Sequence, residues 1–142
     1  FYNNDNDYYF ERNLAMKYSR QRESILQYLR STTCHPTAET VYQHIVADHP
    51  NISLGTVYRN LTLLTELGEI NKITAFDGPD RFDGNVAPHY HFLCRECGAV
   101  LDLEMDSLAH IELLAAHNFK GTVEGHMVQF RGKCPDCARQ NK

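Results

Sequence analysis

Two Cys-x-x-Cys pairs frame the C-terminal part of this 142-residue chain, "CREC" at Cys94 and Cys97 and "CPDC" at Cys134 and Cys137, with thirty-six residues between them. Each such turn presents two sulfurs at the bite a tetrahedral metal requires, and four thiolates are a preferred donor set of structural zinc. A stretch this short buries little apolar surface, so a metal that staples the chain end to the rest of the unit is energetically sensible. A redox dithiol or unrelated free thiols would account for either pair alone, but less well for two pairs around one compact stretch. No basic segment followed by an apolar run opens the sequence, which leads us to expect a cytoplasmic protein. In that setting five cysteines do not read as a disulfide framework. Cys34 is left over; it reads as a small apolar residue, or as a thiol able to alter the chemistry of its neighbour His35.

Immediately before the first pair stands "HYHFLC". On a strand His89 and His91 project to the same face. With four sulfurs already assigned to one ion, the two imidazoles belong to a second centre rich in nitrogen and oxygen. Asp83 and Asp102 are candidates to complete it, and His35, between the first two helices, is a third. Imidazole and carboxylate donors without thiolate suit Fe(II), Mn(II) and similar ions. The competing reading of His35 is a solvated or backbone-bonded histidine. His44, His49, His110 and His117 read as surface or helix-packing residues.

The first half of the chain has a different texture. Ile25, Leu26 and Leu29 mark one side of a helix expected to begin near Ser19 as its cap. A second helix starts at Thr37, buries Val41, Tyr42, Ile45 and Val46, and stops by Pro50. A third, in "NISLGTVYRNLTLLTELGEI", has Ser53 as cap, Gly68 at its end, and Val57, Leu61 and Leu64 as its apolar stripe. Its opposite face carries Gly55, Thr56, Arg59 and Thr62, with Tyr58 and Asn60 beside it. Strand-like Ile70 to Phe76, a turn at Asp77-Gly78-Pro79 and a returning Arg81-Phe82 form a hairpin. Three helices followed by a hairpin predict a winged helix-turn-helix, whose third helix can enter a DNA major groove.

Charge agrees locally rather than globally. The net charge of −4 argues against indiscriminate polyanion binding, yet Arg12, Lys17, Arg20, Arg22 and Arg30 are opposed between positions 12 and 30 only by Glu23. Lys17, Arg20 and Arg22 are therefore candidates to touch phosphate or a minor groove, Tyr58 and Arg59 to approach bases, and Thr56 and Asn60 are further DNA-binding candidates. No stretch approaches the length of a membrane span.

After Asn85, "HYHFLC" and "AVLDLEM" predict two strands joined through "RECG". "DSLAHIELLAAHN" predicts a helix capped by Asp106 or Ser107 with Leu108, Ile111, Leu114 and Ala115 inward. "FKGTVEGHMVQFRGKC" predicts a further strand with Val123, Met127 and Phe130 as apolar markers. The fold class is thus α+β. It comprises an N-terminal extension over 1–17, a winged-helix DNA-binding domain over 18–84 and a metal-binding α/β domain over 85–142.

In order and spacing, "HPTAETVY", "ISLGTVYRNLTLLTELGEI", "RFDGN", "HYHFLCRECG" and "CPDC" resemble the ferric uptake regulator family of metal-dependent bacterial repressors, over about Tyr18 to Cys137. The resemblance implies that the second domain is a dimerisation domain and that a homodimer acts on palindromic operators in double-stranded DNA. It implies that Cys94, Cys97, Cys134 and Cys137 hold structural Zn2+, and that His35, Asp83, His89, His91 and Asp102 hold a regulatory ion at the hinge between domains. Iron-sensing members commonly carry Glu at the position of Asp102 and add a third site. Here Pro88 and Tyr90 stand at the interleaved positions of that site, although His126 matches one of its ligands. Aspartate at both 83 and 102 resembles the peroxide regulator branch. There Fe2+ and hydrogen peroxide oxidise a ligating histidine; the matching positions are His35 and His89. Mn2+ would occupy the same ligands without that chemistry. Two rival readings are a metal-homeostasis repressor of the same family and a metal-dependent enzyme, against which no enzyme motif is present.

Overall fold

A computed structural model describes the backbone of residues 5–75 and 77–140, with side chains from Lys17 onward except Ser19. The chain divides after Val86 into two compact units.

The first unit opens with α1 (Asp5–Ser31). Ser19 lies inside this helix and does not cap it. The span from Asp5 to Ser31 contains no Gly or Pro, and Glu11, Leu14, Ala15, Met16 and Lys17 are good helix formers, so nothing breaks the helix where the apolar periodicity begins. Residues 1–4 of the expected extension lie outside the described residues. Thr37 caps α2 (Ala38–Ile45) by accepting a hydrogen bond from Thr40 N–H, and Ser53 caps α3 (Leu54–Glu66) by accepting from Thr56 N–H. Gly68, at φ 73°, lets the chain leave α3 in a left-handed turn. There Gly68 N–H donates to Thr65 O and Glu69 N–H to Leu64 O.

The core of this unit joins Ile25 and Leu29 of α1, Val41 and Ile45 of α2 and Val57, Leu61 and Leu64 of α3 to Ile70 and Phe82. Each fully buried aliphatic side chain contributes about 1.5–3 kcal/mol. The hairpin is antiparallel, β1 (Asn71–Ile73) against β2 (Arg81–Asp83), in the register Asn71↔Asp83, Lys72↔Phe82, Ile73↔Arg81. It is shorter than the expected Ile70–Phe76 strand, of which Phe76 lies outside the described residues. With three helices and this hairpin the unit is a winged helix-turn-helix.

The second unit is a three-stranded sheet in the order β4-β3-β5. β3 (Tyr90–Cys94) turns back through Gly98, at φ 75°, into antiparallel β4 (Val100–Leu103). The chain then passes through α4 (His110–Ala116) and returns as β5 (Gln129–Gly132), parallel to β3, as a parallel pairing requires of its crossover. α5 (Pro135–Arg139) follows. Three expectations differ from the structure. Ala109 occupies the N-cap of α4 with no side-chain cap from Asp106 or Ser107. Of its expected inward stripe, Leu108 and Ile111 are partly buried, while Leu114 is 71% exposed and Ala115 is exposed too. The last strand is likewise confined to Gln129–Gly132, and Met127 is 89% exposed. Leu113, Leu114, Phe119 and Met127 are all exposed large apolar side chains.

Gly84 matters to the first unit more than its place in "RFDGN" suggests. A Cβ there would stand 2.5 Å from the carbonyl carbon of Leu29 and 2.6 Å from Arg30 N, both backbone atoms of α1. Gly84→Ala must push β2 away from α1. It is expected to cost about 1–3 kcal/mol, read as a lowered urea midpoint at unchanged m-value; an unchanged midpoint would contradict the contact.

Candidate metal centres and nucleic-acid face

The sulfur centre is assembled by strand pairing. Parallel pairing sets Cys94 opposite Gly132, and Arg95 N–H donates to Gly132 O at 2.8 Å, so the residues just after β5 arrive beside the end of β3. Cys134 N–H then donates to Cys94 Sγ at 3.3 Å, and the first turn of α5 carries Cys137. The four sulfurs lie within 4.8 Å of one another, and Cys97 Sγ is 3.8 Å from Cys134 Sγ. Zn–S bonds of about 2.3 Å in a tetrahedron demand S···S separations of about 3.8 Å. Cys94, Cys134 and Cys137 are buried and Cys97 is exposed; none forms a disulfide. Backbone N–H groups of Cys97 and then Cys134 pull Cys94 down to about 6. The hydrogen bond with Cys134, then burial, drives Cys137 upward. Four adjacent sulfurs cannot all ionise unaided, whereas a divalent cation stabilises all four thiolates. Geometry and donor chemistry both fit zinc.

The nitrogen and oxygen donors occur as two groups, one in each unit. In the first unit His35 and Asp83 are 1% and 3% exposed, with His35 Nδ1 3.6 Å from Asp83 Oδ2. They meet because residues 35–37 are tied to β2. Arg81 donates to His35 O at 3.1 Å, Phe82 N–H donates to Pro36 O at 3.0 Å, and Thr37 bridges to Arg81. His35 sits at φ 49°, a left-handed conformation that costs a non-glycine residue about 1–3 kcal/mol and persists only where its surroundings enforce it. The other carboxylate oxygen, Asp83 Oδ1, accepts from Asn85 N–H.

In the second unit the register pairs His91 with Asp102. His89 Nε2 and His91 Nε2 lie 3.3 and 3.4 Å from the same oxygen, Asp102 Oδ1, with the two rings edge to face at 4.5 Å. His89 Nδ1 is 2.6 Å from Ala87 O. A carbonyl only accepts, so Nδ1 carries the proton, and in the neutral ring Nε2 is left as a metal-ready lone pair. Two imidazoles converging on one carboxylate oxygen suit a hard-to-borderline cation that would take both nitrogens and the oxygen.

His126 stands apart from these groups. Its Nε2 is 2.6 Å from Tyr90 Oη and its Nδ1 2.9 Å from Glu112 Oε1, while Tyr90 Oη accepts from Leu108 N–H. The imidazole thus pins the start of α4 to β3.

On α3, Tyr58, Arg59, Thr62 and Gly55 are exposed and Thr56 is partly so. Lys17 and Arg20 are exposed on α1, and Arg22 is half-buried. Asn60 is not on this face. It is 6% exposed, accepts from Arg22 Nε at 3.3 Å and donates to Thr56 O at 3.1 Å, so its amide is engaged inside the unit and turned away from solvent. The spacing gave the signal, since 57, 60, 61 and 64 form one i, i+3, i+4, i+7 stripe. Gly84 and Arg81, which set Asp83 and His35, were missed because their roles are contacts distant in sequence.

The family model described as "Ferric uptake regulator family" matches residues 13–131. The peroxide-responsive repressor PerR of Staphylococcus aureus is 38% identical over 126 residues, covering 89% of this chain and 85% of that protein. The crystal structure of the Campylobacter jejuni peroxide stress regulator superposes with a TM-score of 0.78 at 27% identity, covering 90% of this chain and 96% of the other. The Helicobacter pylori ferric uptake regulator shares the fold, with a TM-score of 0.76 at 19% identity over 92% and 93% of the two chains. Among the described residues no helix is long and apolar enough to cross a membrane.

Cys134→Ser should remove a sulfur donor and with it the bound zinc. Metal analysis is expected to show loss of zinc, and circular dichroism an unfolding transition lowered by tens of degrees. Full zinc content in that variant would exclude the four-sulfur site.

Proposed function

This chain belongs to the ferric uptake regulator family, and we propose that it is a metal-dependent DNA-binding repressor that senses hydrogen peroxide. Cys94, Cys97, Cys134 and Cys137 hold structural zinc. His35 and Asp83 of one unit act with His89, His91 and Asp102 of the other on a single regulatory ion, Fe2+ or Mn2+. The observation that carries this reading is the convergence of His89 and His91 on one aspartate oxygen, in a chain 38% identical to a peroxide-responsive repressor. The donors fit the ion, being nitrogen and carboxylate throughout.

Fe2+ held by these five donors would supply the redox chemistry by which hydrogen peroxide oxidises a neighbouring imidazole. The ring carbon of His35 or His89 gains one oxygen atom and water is released. The oxidised ring of His35 or His89 would be a poorer donor and would hold the ion less tightly. Because the ligands come from both units, ion binding selects one arrangement of the DNA-reading units, and its loss frees others. A bias of a few kcal/mol suffices to switch occupancy of the operator. The protein acts in the cytoplasm as a homodimer on a palindromic operator, its apolar Leu113, Leu114, Phe119 and Met127 face meeting a second copy. Lys17, Arg20 and Arg22 contact backbone phosphate, while Thr56, Tyr58 and Arg59 approach bases.

Two measurements test this. Peroxide added to the iron-loaded protein should add one oxygen atom to the peptide containing His35 or His89, seen by mass spectrometry, and no such gain should follow manganese loading. Unmodified peptides from the iron form would leave a metal-homeostasis repressor as the better reading. Arg59→Ala should weaken binding to the preferred sequence by about 1–3 kcal/mol more than binding to random DNA; equal losses would remove Arg59 from base reading.

A further inference from the structure

Asn60 is a buried amide on the helix whose other side is turned to solvent, and both of its ends are used. Its Oδ1 receives Arg22 Nε from α1 at 3.3 Å, and its Nδ2 donates to Thr56 O at 3.1 Å. Thr56 is in turn held by Ser53, its N–H donating to Ser53 Oγ at 3.1 Å and its hydroxyl lying 2.9 Å from the same oxygen. Arg59 donates to Thr56 Oγ1 at 2.9 Å. Two guanidinium groups, from different helices, are thus fastened to one short hydrogen-bond chain. Both open onto a recess of about 350 Å³ lined by Tyr18, Arg22, Thr56, Arg59, Asn60 and Leu63. No carboxylate is in that lining. A guanidinium has five N–H donors in a rigid fork. With Nε held by Asn60, Arg22 has its terminal N–H groups, the pair that matches phosphate oxygens, set in one orientation.

We propose that this recess seats one backbone phosphate of bound DNA, and that Asn60 is the positioning residue that holds Arg22 in the geometry to receive it. The inference rests on the DNA-binding reading above and adds a role that Asn60 performs without touching DNA. A guanidinium free to sample its rotamers loses entropy on meeting a phosphate, and one already locked by Asn60 does not. Arg22 contributes no base preference, because a phosphate contact is blind to sequence.

The test uses the full, metal-loaded protein and labelled duplexes selected by it from a random-sequence library, with affinity measured by anisotropy across a salt series. Arg22→Ala should weaken binding roughly tenfold or more and reduce the salt slope by about 0.9, one phosphate's worth, for preferred and random duplexes alike. Asn60→Ala should reproduce most of the affinity loss, and in the Arg22→Ala background it should cost nothing further. A merely structural role for Asn60 would instead give the same loss with or without Arg22, and that result overturns the proposal. Arg22→Lys leaves buried Asn60 untouched and keeps the charge but lacks Nε. Several-fold weaker binding at a retained salt slope supports the positioning role, and wild-type affinity overturns it. An unchanged salt slope in Arg22→Ala removes the phosphate seat alone. If the wild-type protein selects no duplex, the DNA-binding reading itself fails.

Discussion

Four sulfur atoms within 4.8 Å of one another repel as thiolates and make only weak hydrogen bonds as thiols. A divalent cation among them converts that crowding into the strongest attraction available to residues 87–142. The first unit has an ordinary aliphatic core, running from Ile25 to Phe82. The second has Leu93 and Val100 buried beside Cys94, Cys134 and Cys137, an α4 with no buried residue, and Phe92 and Ala99 packed on the cysteines. Two buried aliphatics contribute about 1.5–3 kcal/mol each, against apparent zinc-binding energies of about 10–16 kcal/mol in small metal-organised domains. In this unit sulfur coordination takes the place of a core. The parallel β3–β5 pairing exists to bring the last two ligands home.

The same strand explains why sulfur and nitrogen donors stay apart. His89 and His91 are two residues apart, on one face, where Asp102 faces them from β4. Cys94 is an odd number of residues beyond His91 and so projects to the other side, where Cys134 approaches from the segment after β5. One strand separates a soft four-sulfur set from a harder imidazole–carboxylate set, and those two sets favour different ions. Exchange at one does not require exchange at the other.

Much of this was legible because it is local. Thr37, Ser53 and Gly68 cap or end their helices through atoms within a turn of themselves, and the two Cys-x-x-Cys pairs and the His-x-His pair declare their chemistry by spacing. Information that lives in distant contacts was not legible. Nothing near Gly84 announces that Leu29 and Arg30 backbone atoms press on it, and nothing near His35 announces that Arg81 holds its carbonyl. Asn60 is hard to place for another reason. Its chemistry suits the polar face of α3, whereas its helical phase puts it inside the unit. For α4 the apolar residues were found correctly, but a single sequence does not say which surface covers them, and within one chain Leu113 and Leu114 remain outside.

On the proposed function, His35 is a ligand and also a lever. Its left-handed backbone is held by ties from residues 35–37 to Arg81 and Phe82 of β2, and β2 ends on Asp83, followed directly by the tightly packed Gly84. A ligand on a loose loop would absorb the loss of an ion by moving alone. Here the strained segment, Asp83 and the wing strand share one set of hydrogen bonds, so a displacement of the His35 ring has no slack to take it up. The strain of about 1–3 kcal/mol is comparable to the bias a repressor's switch requires. On the proposed function, its release at ligand loss acts in the direction of letting the wing move.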